Sequence, residues 1–386
     1  MATLEQTEDV LGEFIAHATV SADSNLAMIS DIADRLTDIG ARVDIQKAPD
    51  GQKANLFATL GPDEPGGIVL SGHTDVVPVE GQDWSSDPFK LLEREDCLYG
   101  RGACDMKGFI AAAIAMAPEF SAGELKRPLH FAFTYDEETG CLGAQALAEW
   151  LKENEISPKV AIVGEPTMMT IIEGHKGCCE YTTHFHGSAG HGSQPDLGVN
   201  AVEYAVRYVS RLMELGEKLK SRAPSDSRFD PPWTTINTGS LKGGIAHNVI
   251  PSEASVDWEF RPVQSSDFTF VKSDIEEYVA SVLLPAMKRV SPSAQITTEV
   301  IGEVAGLEPA TENEARDIMM ELTGNNGADV VSFGTEAGIF SELGMSVVVC
   351  GPGSIEQAHK PDEFISRDQL AMCLTMLERL KERLHS

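Results

Sequence analysis

Five short segments of the 386-residue chain carry side chains able to do chemistry: His73-Thr-Asp75, Asp105, the adjacent pair Glu137-Glu138, Glu165 and, far downstream, His359. Each lies at or beyond the end of an apolar run that reads as a strand. A parallel sheet gathers the carboxyl ends of its strands along one edge, which is where open α/β sheets place their sites. Two imidazoles and three carboxylates suit a pair of divalent, zinc-like ions with one carboxylate bridging them. Ions ~3.5–4 Å apart share and activate a water. One of the two adjacent glutamates is then left over as a base, able to take a proton and return it to a departing amine. Taken singly, each acid reads as a solvated loop residue or a helix cap. The set is informative because all five segments fall at strand ends.

The elements that must position these groups follow from hydrophobic periodicity. A helix is expected over Asn25–Leu36, stopped by Gly40, with short strands at Ala41–Gln46, Asn55–Leu60 and Gly67–Leu70. Phe109–Met116 reads as a buried helix, Leu129–Thr134 and Val160–Val163 as strands, and Ala144–Lys152 as the helix between them. Strands alternating with helices imply an α/β sheet with parallel portions. The character changes after Glu173. Strands at Glu180–His186, Thr234–Leu241, Ala254–Phe260 and Gln295–Val300 interleave with helices at Val199–Leu219 and Phe268–Met287. That order, β-α-β-β-α-β, is a complete ferredoxin-like unit. The first pattern resumes with a strand at Met345–Cys350 and a helix at Arg367–Leu384. The expected division is a mixed-sheet catalytic domain built from residues 1–178 and 302–386, interrupted by a smaller domain at 179–301.

Composition narrows the partners. Thirty Lys plus Arg against 60 Asp plus Glu give a net charge of −30. That excess of acid argues against nucleic acid and anionic membrane surfaces, which need basic patches. No apolar run approaches the ~20 residues needed to span a bilayer, and Met1–Val10 has no secretory pattern. Seven cysteines without a C-x-x-C pair fit reduced thiols and a cytoplasmic setting. Cys178 and Cys179 are expected on opposite faces of one strand.

The runs Ser71-Gly-His-Thr-Asp-Val-Val-Pro78, Tyr99-Gly-Arg-Gly-Ala-Cys-Asp-Met-Lys-Gly108 and Thr134-Tyr-Asp-Glu-Glu-Thr-Gly140 resemble the M20 family of dinuclear zinc amidohydrolases and peptidases. Gly334-Thr-Glu-Ala337 and Gly351-Pro-Gly-Ser-Ile-Glu-Gln-Ala-His-Lys-Pro-Asp-Glu363 resemble the acetylornithine deacetylase group within it. The resemblance implies a zinc-peptidase-like catalytic domain with an inserted lid and dimerisation domain, hence a homodimer. It implies two Zn²⁺, with Co²⁺ or Mn²⁺ as possible substitutes. Asp105 would bridge, with His73 and Glu165 on one ion and Glu138 and His359 on the other. Glu137 would be the general base and Asp75 the acid that orients His73. A cis peptide is implied at Asp105-Met106.

In the insert, Gly187-Ser-Ala-Gly-His-Gly-Ser-Gln-Pro195 makes His191 the candidate that reaches a partner subunit's site to stabilise an oxyanion. Asn248 and Arg261 match positions that hold a substrate carboxylate, for which arginine's planar fork is suited. Lys176 and Thr335 match further pocket positions. Glu336 is a candidate partner for a substrate ammonium, with a structural role as the alternative. The implied reaction is hydrolysis of an N-acyl amino acid, N-acetylornithine to ornithine and acetate in arginine biosynthesis. Other N-acyl amine deacylases, succinyl-diaminopimelate desuccinylases and dipeptidases of the same family stay open, and more remotely a non-catalytic ligand-binding homologue.

Overall fold

The computed structural model describes residues 2–386, which divide into two compact units. The first comprises the chain up to Gly174 together with Pro309–Val330 and Thr335–Ser386; the second is His175–Glu308 with Val331–Gly334. The second unit thus begins at His175 rather than 179 and runs on to Glu308 rather than 301. It also takes back four residues, Val331–Gly334, from the closing segment.

The first unit is built on an eight-stranded mixed sheet. Its centre is four neighbouring strands, Leu129–Thr134, Ile68–His73, Val160–Pro166 and Ser346–Gly351, each parallel to the next. Nearly every residue in them is buried. That burial explains why they read as continuous apolar runs rather than as alternation, since parallel strands are covered on both faces. Arg42–Lys47 and Ala54–Leu60 add antiparallel pairs at one side. Helix Lys107–Ser121 is apolar around most of its circumference and packs against helices Leu4–Ala16 and Arg367–His385. A helix buried all round is what such a sequence predicts.

Helix Leu4–Ala16 lies outside the elements that periodicity marks, although its start carries a capping signal. Thr3 and Gln6 form a reciprocal capping box, Thr3 N donating to Gln6 Oε1 at 2.8 Å and Gln6 N to Thr3 Oγ1 at 3.1 Å. Three-residue strands at Leu92–Arg94, Cys97–Tyr99 and Phe364–Ser366 form a small separate sheet, too short for periodicity to reveal.

The second unit has a four-stranded antiparallel sheet in the order Thr235–Gly243, Glu253–Arg261, Cys178–His186, Gln295–Val304. With helices Ala201–Lys220 and Ser265–Tyr278, this is the ferredoxin-like arrangement. Its core stacks Tyr181 on Trp258 at 4.7 Å and sets Tyr208 edge-on to Phe185 at 5.5 Å. Cys179 is buried and Cys178 only half so, on opposite faces of their strand. The second helix runs unbroken to Lys288, widening into a π-helical stretch at Val279–Leu283 between Ser265–Tyr278 and Leu284–Lys288. Pro285 has no N–H to donate back into the preceding turn, which suits the wider spacing there. Among the described residues, no helix is long and apolar enough to cross a membrane.

Candidate metal centre

Because four parallel strands lie side by side, their carboxyl ends meet at one sheet edge. His73 ends its strand, Glu137-Glu138 follows Thr134, Glu165 is the penultimate residue of Val160–Pro166, and His359 lies on the loop after Gly351. Asp105 comes from the turn that starts helix Lys107–Ser121. Asp105 turns one oxygen toward each imidazole: Oδ1 is 3.0 Å from His73 Nε2 and Oδ2 is 3.4 Å from His359 Nε2. Glu165 Oε1 lies 3.7 Å from His73 Nε2, and Glu138 Oε2 lies 3.0 Å from His359 Nε2. Glu137 joins His73 and Glu165 in a second cluster of potential ligand atoms, all within 4.8 Å of one another. The Asp105-Met106 peptide is cis.

These residues fit a divalent pair on their own evidence. Glu165 Oε1 is buried without a hydrogen-bond partner, a costly arrangement unless a cation is its partner. His73 Nδ1 lies 2.9 Å from the backbone oxygen of Asp75, a partner that keeps a proton on Nδ1 when a cation takes Nε2. The charge balance agrees. Burial pushes Glu137 up to about 8, aided by Glu138 and Asp105 against His73. Glu138 and Glu165 are likewise raised, by burial first and then by the neighbouring carboxylates. Burial also opposes ionisation of Asp105, but hydrogen bonds with His359 and His73 outweigh it and hold that carboxyl below its usual range. His359 is pushed up to about 10 by its hydrogen bonds to Asp105 and Glu138. Four carboxylates thus compete for two imidazoles, a surplus that divalent cations relieve.

Asp75 faces His73 with both main chain and side chain: beside the backbone oxygen, its Oδ1 is 3.6 Å from His73 Nδ1. The carboxylate also accepts from Glu137 N at 3.1 Å, Glu138 N at 3.3 Å and Ser21 Oγ at 2.7 Å. Asp75 therefore fixes the turn that presents both glutamates.

Three substrate-pocket candidates are otherwise engaged. Glu336 is completely buried, accepting from Ser71 Oγ at 2.6 Å and Thr134 Oγ1 at 2.7 Å, contacts in keeping with its structural alternative. Thr335 is also buried, and its hydroxyl accepts from Ala337 N at 3.1 Å. The buried Lys176 spends its ammonium on the carbonyls of Pro231 and Trp233, at 2.8 and 3.2 Å. Glu336→Ala would leave the Ser71 and Thr134 hydroxyls without this acceptor, at a cost of about 2–3 kcal/mol. A lower melting temperature with unchanged preference between cationic and neutral acyl amino acids is expected; altered preference would restore a substrate role.

In the second unit His191 is exposed, its Nδ1 2.7 Å from Ser193 Oγ. Asn248 lies beside it, its carbonyl accepting from Gly192 N at 2.8 Å. Arg261 is half-buried and paired with Glu259 at 3.0 Å.

Glu363 is a further residue of the site, with no signal of its role in the sequence. Its buried carboxylate accepts from Gly102 N at 3.0 Å, Cys104 N at 2.8 Å, Asp105 N at 2.9 Å and Arg101 Nη1 at 2.7 Å, so it shapes the turn carrying Asp105. No local pattern announces a contact between residues so far apart in the chain.

Residues 69–383 match the model of peptidase family M20/M25/M40. An acetylornithine deacetylase of Photorhabdus laumondii is 36% identical over 364 residues, covering 92% of this chain and 91% of that protein. The M20 family metallo-carboxypeptidase Sso-CP2 of Sulfolobus solfataricus has the same fold, with a TM-score of 0.75 at 17% identity over 98% of this chain and 99% of its own. The YXEP protein of Bacillus subtilis, described as a dinuclear metal binding peptidase from the M20 family, superposes with a TM-score of 0.63 at 16% identity, over 98% of this chain and 99% of its own.

Proposed function

Since the chain belongs to peptidase family M20/M25/M40 and is a metal-dependent amide hydrolase, we propose that it deacylates N-acyl amino acids, with N-acetylornithine as the substrate that yields ornithine and acetate. One observation carries the reading: Asp105 points an oxygen at each of two imidazoles, with Glu137 beside them as an unshared carboxylate. The likeness to a protein named acetylornithine deacetylase supports the acyl and amine assignments.

His73, Asp105 and Glu165 would hold one divalent cation, and Asp105, Glu138 and His359 the other. When bound, the pair supplies Lewis acidity and lowers the pKa of water. Glu137 takes a proton from the attacking water on its carboxylate and delivers it to the nitrogen of the departing amine. Asp75 holds the Glu137-Glu138 turn, and its carbonyl fixes the tautomer of His73. Arg261 and Asn248 bind the substrate carboxylate, for which Arg261 must exchange its pairing with Glu259. His191 donates to the acyl oxygen as charge develops there.

Turnover should be assayed across N-acetyl, N-succinyl and N-formyl amino acids, with metal content measured on the same sample. Two divalent ions per chain and the highest kcat/KM on N-acetylornithine are expected. Preference for a succinyl or formyl substrate would replace the assignment, and hydrolysis without bound metal would remove its basis.

The reading includes a homodimer formed through the insert, with His191 acting on the partner's substrate. Equal mixing of His191→Ala and Glu137→Ala chains should restore about a quarter of wild-type activity, from one intact site in each mixed dimer. No recovery after subunit exchange would place His191 in its own chain's site, and a His191→Ala chain that is active by itself would place it outside catalysis.

A further inference from the structure

His359 differs from the other candidate ligands in how it is held. His73, Asp105, Glu138 and Glu165 have side chains no more than 8% exposed, whereas that of His359 is 56% exposed. It lies on a loop and has a left-handed backbone, φ 63°, as does Asp362 at 55°. Residues without glycine's freedom occupy that region only when their surroundings hold them there.

We propose that Gln82 is a positioning residue for His359, fixing the loop so that the imidazole stays directed at Asp105 and Glu138. Gln82 Nε2 donates to the main-chain oxygen of His359 at 3.0 Å. Its Oε1 accepts from Trp84 Nε1 at 3.1 Å and Arg101 Nη2 at 2.5 Å. Those two partners can only donate, so the amide has a single consistent orientation, oxygen toward Arg101 and NH₂ toward His359. Arg101 is a rigid anchor: it is 1% exposed, bonds Glu363 Oε2 at 2.7 Å and the Lys360 carbonyl at 3.3 Å, and lies over the Trp84 ring at 5.0 Å. Ser85 completes the clasp, its N and Oγ each 2.9 Å from Asp362 Oδ1. The loop is therefore gripped at 359, 360, 362 and 363, and Gln82 is the link between buried Arg101 and the ligand residue itself.

The inference rests on the two-cation reading and concerns one of the two positions. The position formed by Glu138, His359 and Asp105 depends on Gln82 through His359; that formed by His73, Glu165 and Asp105 has no bond to Gln82, although Glu363 supports Asp105 for both. Groups that orient ligands typically change metal affinity by about 10–100-fold when replaced.

The test is titration of metal-stripped protein with Zn²⁺ by calorimetry and with Co²⁺ by visible absorption, for wild type, Gln82→Ala and Gln82→Glu. Gln82→Glu keeps an acceptor for Arg101 and Trp84, preserving the clasp, but sets a carboxylate oxygen against the His359 carbonyl. Both variants are expected to bind the first cation as wild type does and the second at least tenfold more weakly, with loss of the spectral change of the second step. The proposal fails if both variants take up two cations with wild-type affinity, if both steps weaken equally, or if Gln82→Glu is normal while Gln82→Ala is not. Wild-type protein that fails to bind two cations overturns the function proposed above as well, whereas normal binding in all three chains overturns the role of Gln82 alone.

Discussion

Replacing Glu137 with alanine is expected to lower kcat by roughly 10²–10⁴-fold while two cations per chain remain bound and KM changes little. The argument is positional. Glu137 sits beside the ligand cluster, yet the shortest imidazole–carboxylate contacts are made by Asp105 and Glu138. Its backbone is tied to Asp75, and Cys141 Sγ lies 3.5 Å from its Oε1, so the carboxylate is held without being consumed by an ion pair. Burial pushes Glu137 up to about 8 in the protein without cations. Adjacent divalent charge favours its ionised form and draws that value back toward neutrality, which is where a group that both accepts and returns a proton works best. Glu137→Gln, which keeps size and removes basicity, should be nearly as impaired as alanine. Turnover near the wild-type rate in either variant would exclude Glu137 as the base; loss of metal along with turnover would make it a ligand instead.

Chelation is the second large effect. Removing the cations is expected to abolish turnover and to lower the melting temperature, by a wider margin at alkaline than at mildly acidic pH. The sign follows from the raised groups. Glu137, Glu138 and Glu165 bind protons in the folded metal-free chain that they have already shed when unfolded. Their contribution is complete below the ordinary glutamate range and is lost as pH rises, through about 8 for Glu137. His359 adds in the same direction, complete below its ordinary value and lost through about 10. Asp105 is held low, so its contribution is lost only in acid and does not enter this window. Cation binding has the opposite dependence, because ligands must be deprotonated to coordinate. With free metal at about a thousand times its Kd, each site adds ~4 kcal/mol, which puts the difference on the order of 10 °C. Differential scanning calorimetry of loaded and stripped protein at several pH values would check it. Parallel melting curves, with the same gap at every pH, would show that these carboxylates do not hold the cations.

The distribution of legible and illegible features has a physical pattern. Buried parallel strands such as Leu129–Thr134 announce themselves because being covered on both faces demands a continuous apolar run, and each ligand candidate next to such a strand inherits its location. Helix Lys107–Ser121 was legible for the same reason. Strands of three residues were not, since they carry too few positions for any period to emerge. Lys176, Thr335 and Glu336 stand in recognisable motifs, but a motif says nothing about which way a side chain turns. The sheet interior claims Glu336 through Ser71 and Thr134.

What the sequence determined by itself is therefore the kind of chemistry and its principal carriers: two histidines and a set of acids, all but Asp105, which opens a helix, placed at or beyond a strand end by local patterning that depends only on near neighbours. What tertiary structure alone decided is how those carriers are held. Asp105 is shaped by Glu363, His359 is gripped through Gln82 and Arg101, and the Glu137-Glu138 turn is fixed by Asp75. Most of these contacts join residues 60 or more positions apart, and a hydrogen bond between distant residues leaves no periodic trace along a single chain. It exists only once folding has brought donor and acceptor within about 3 Å.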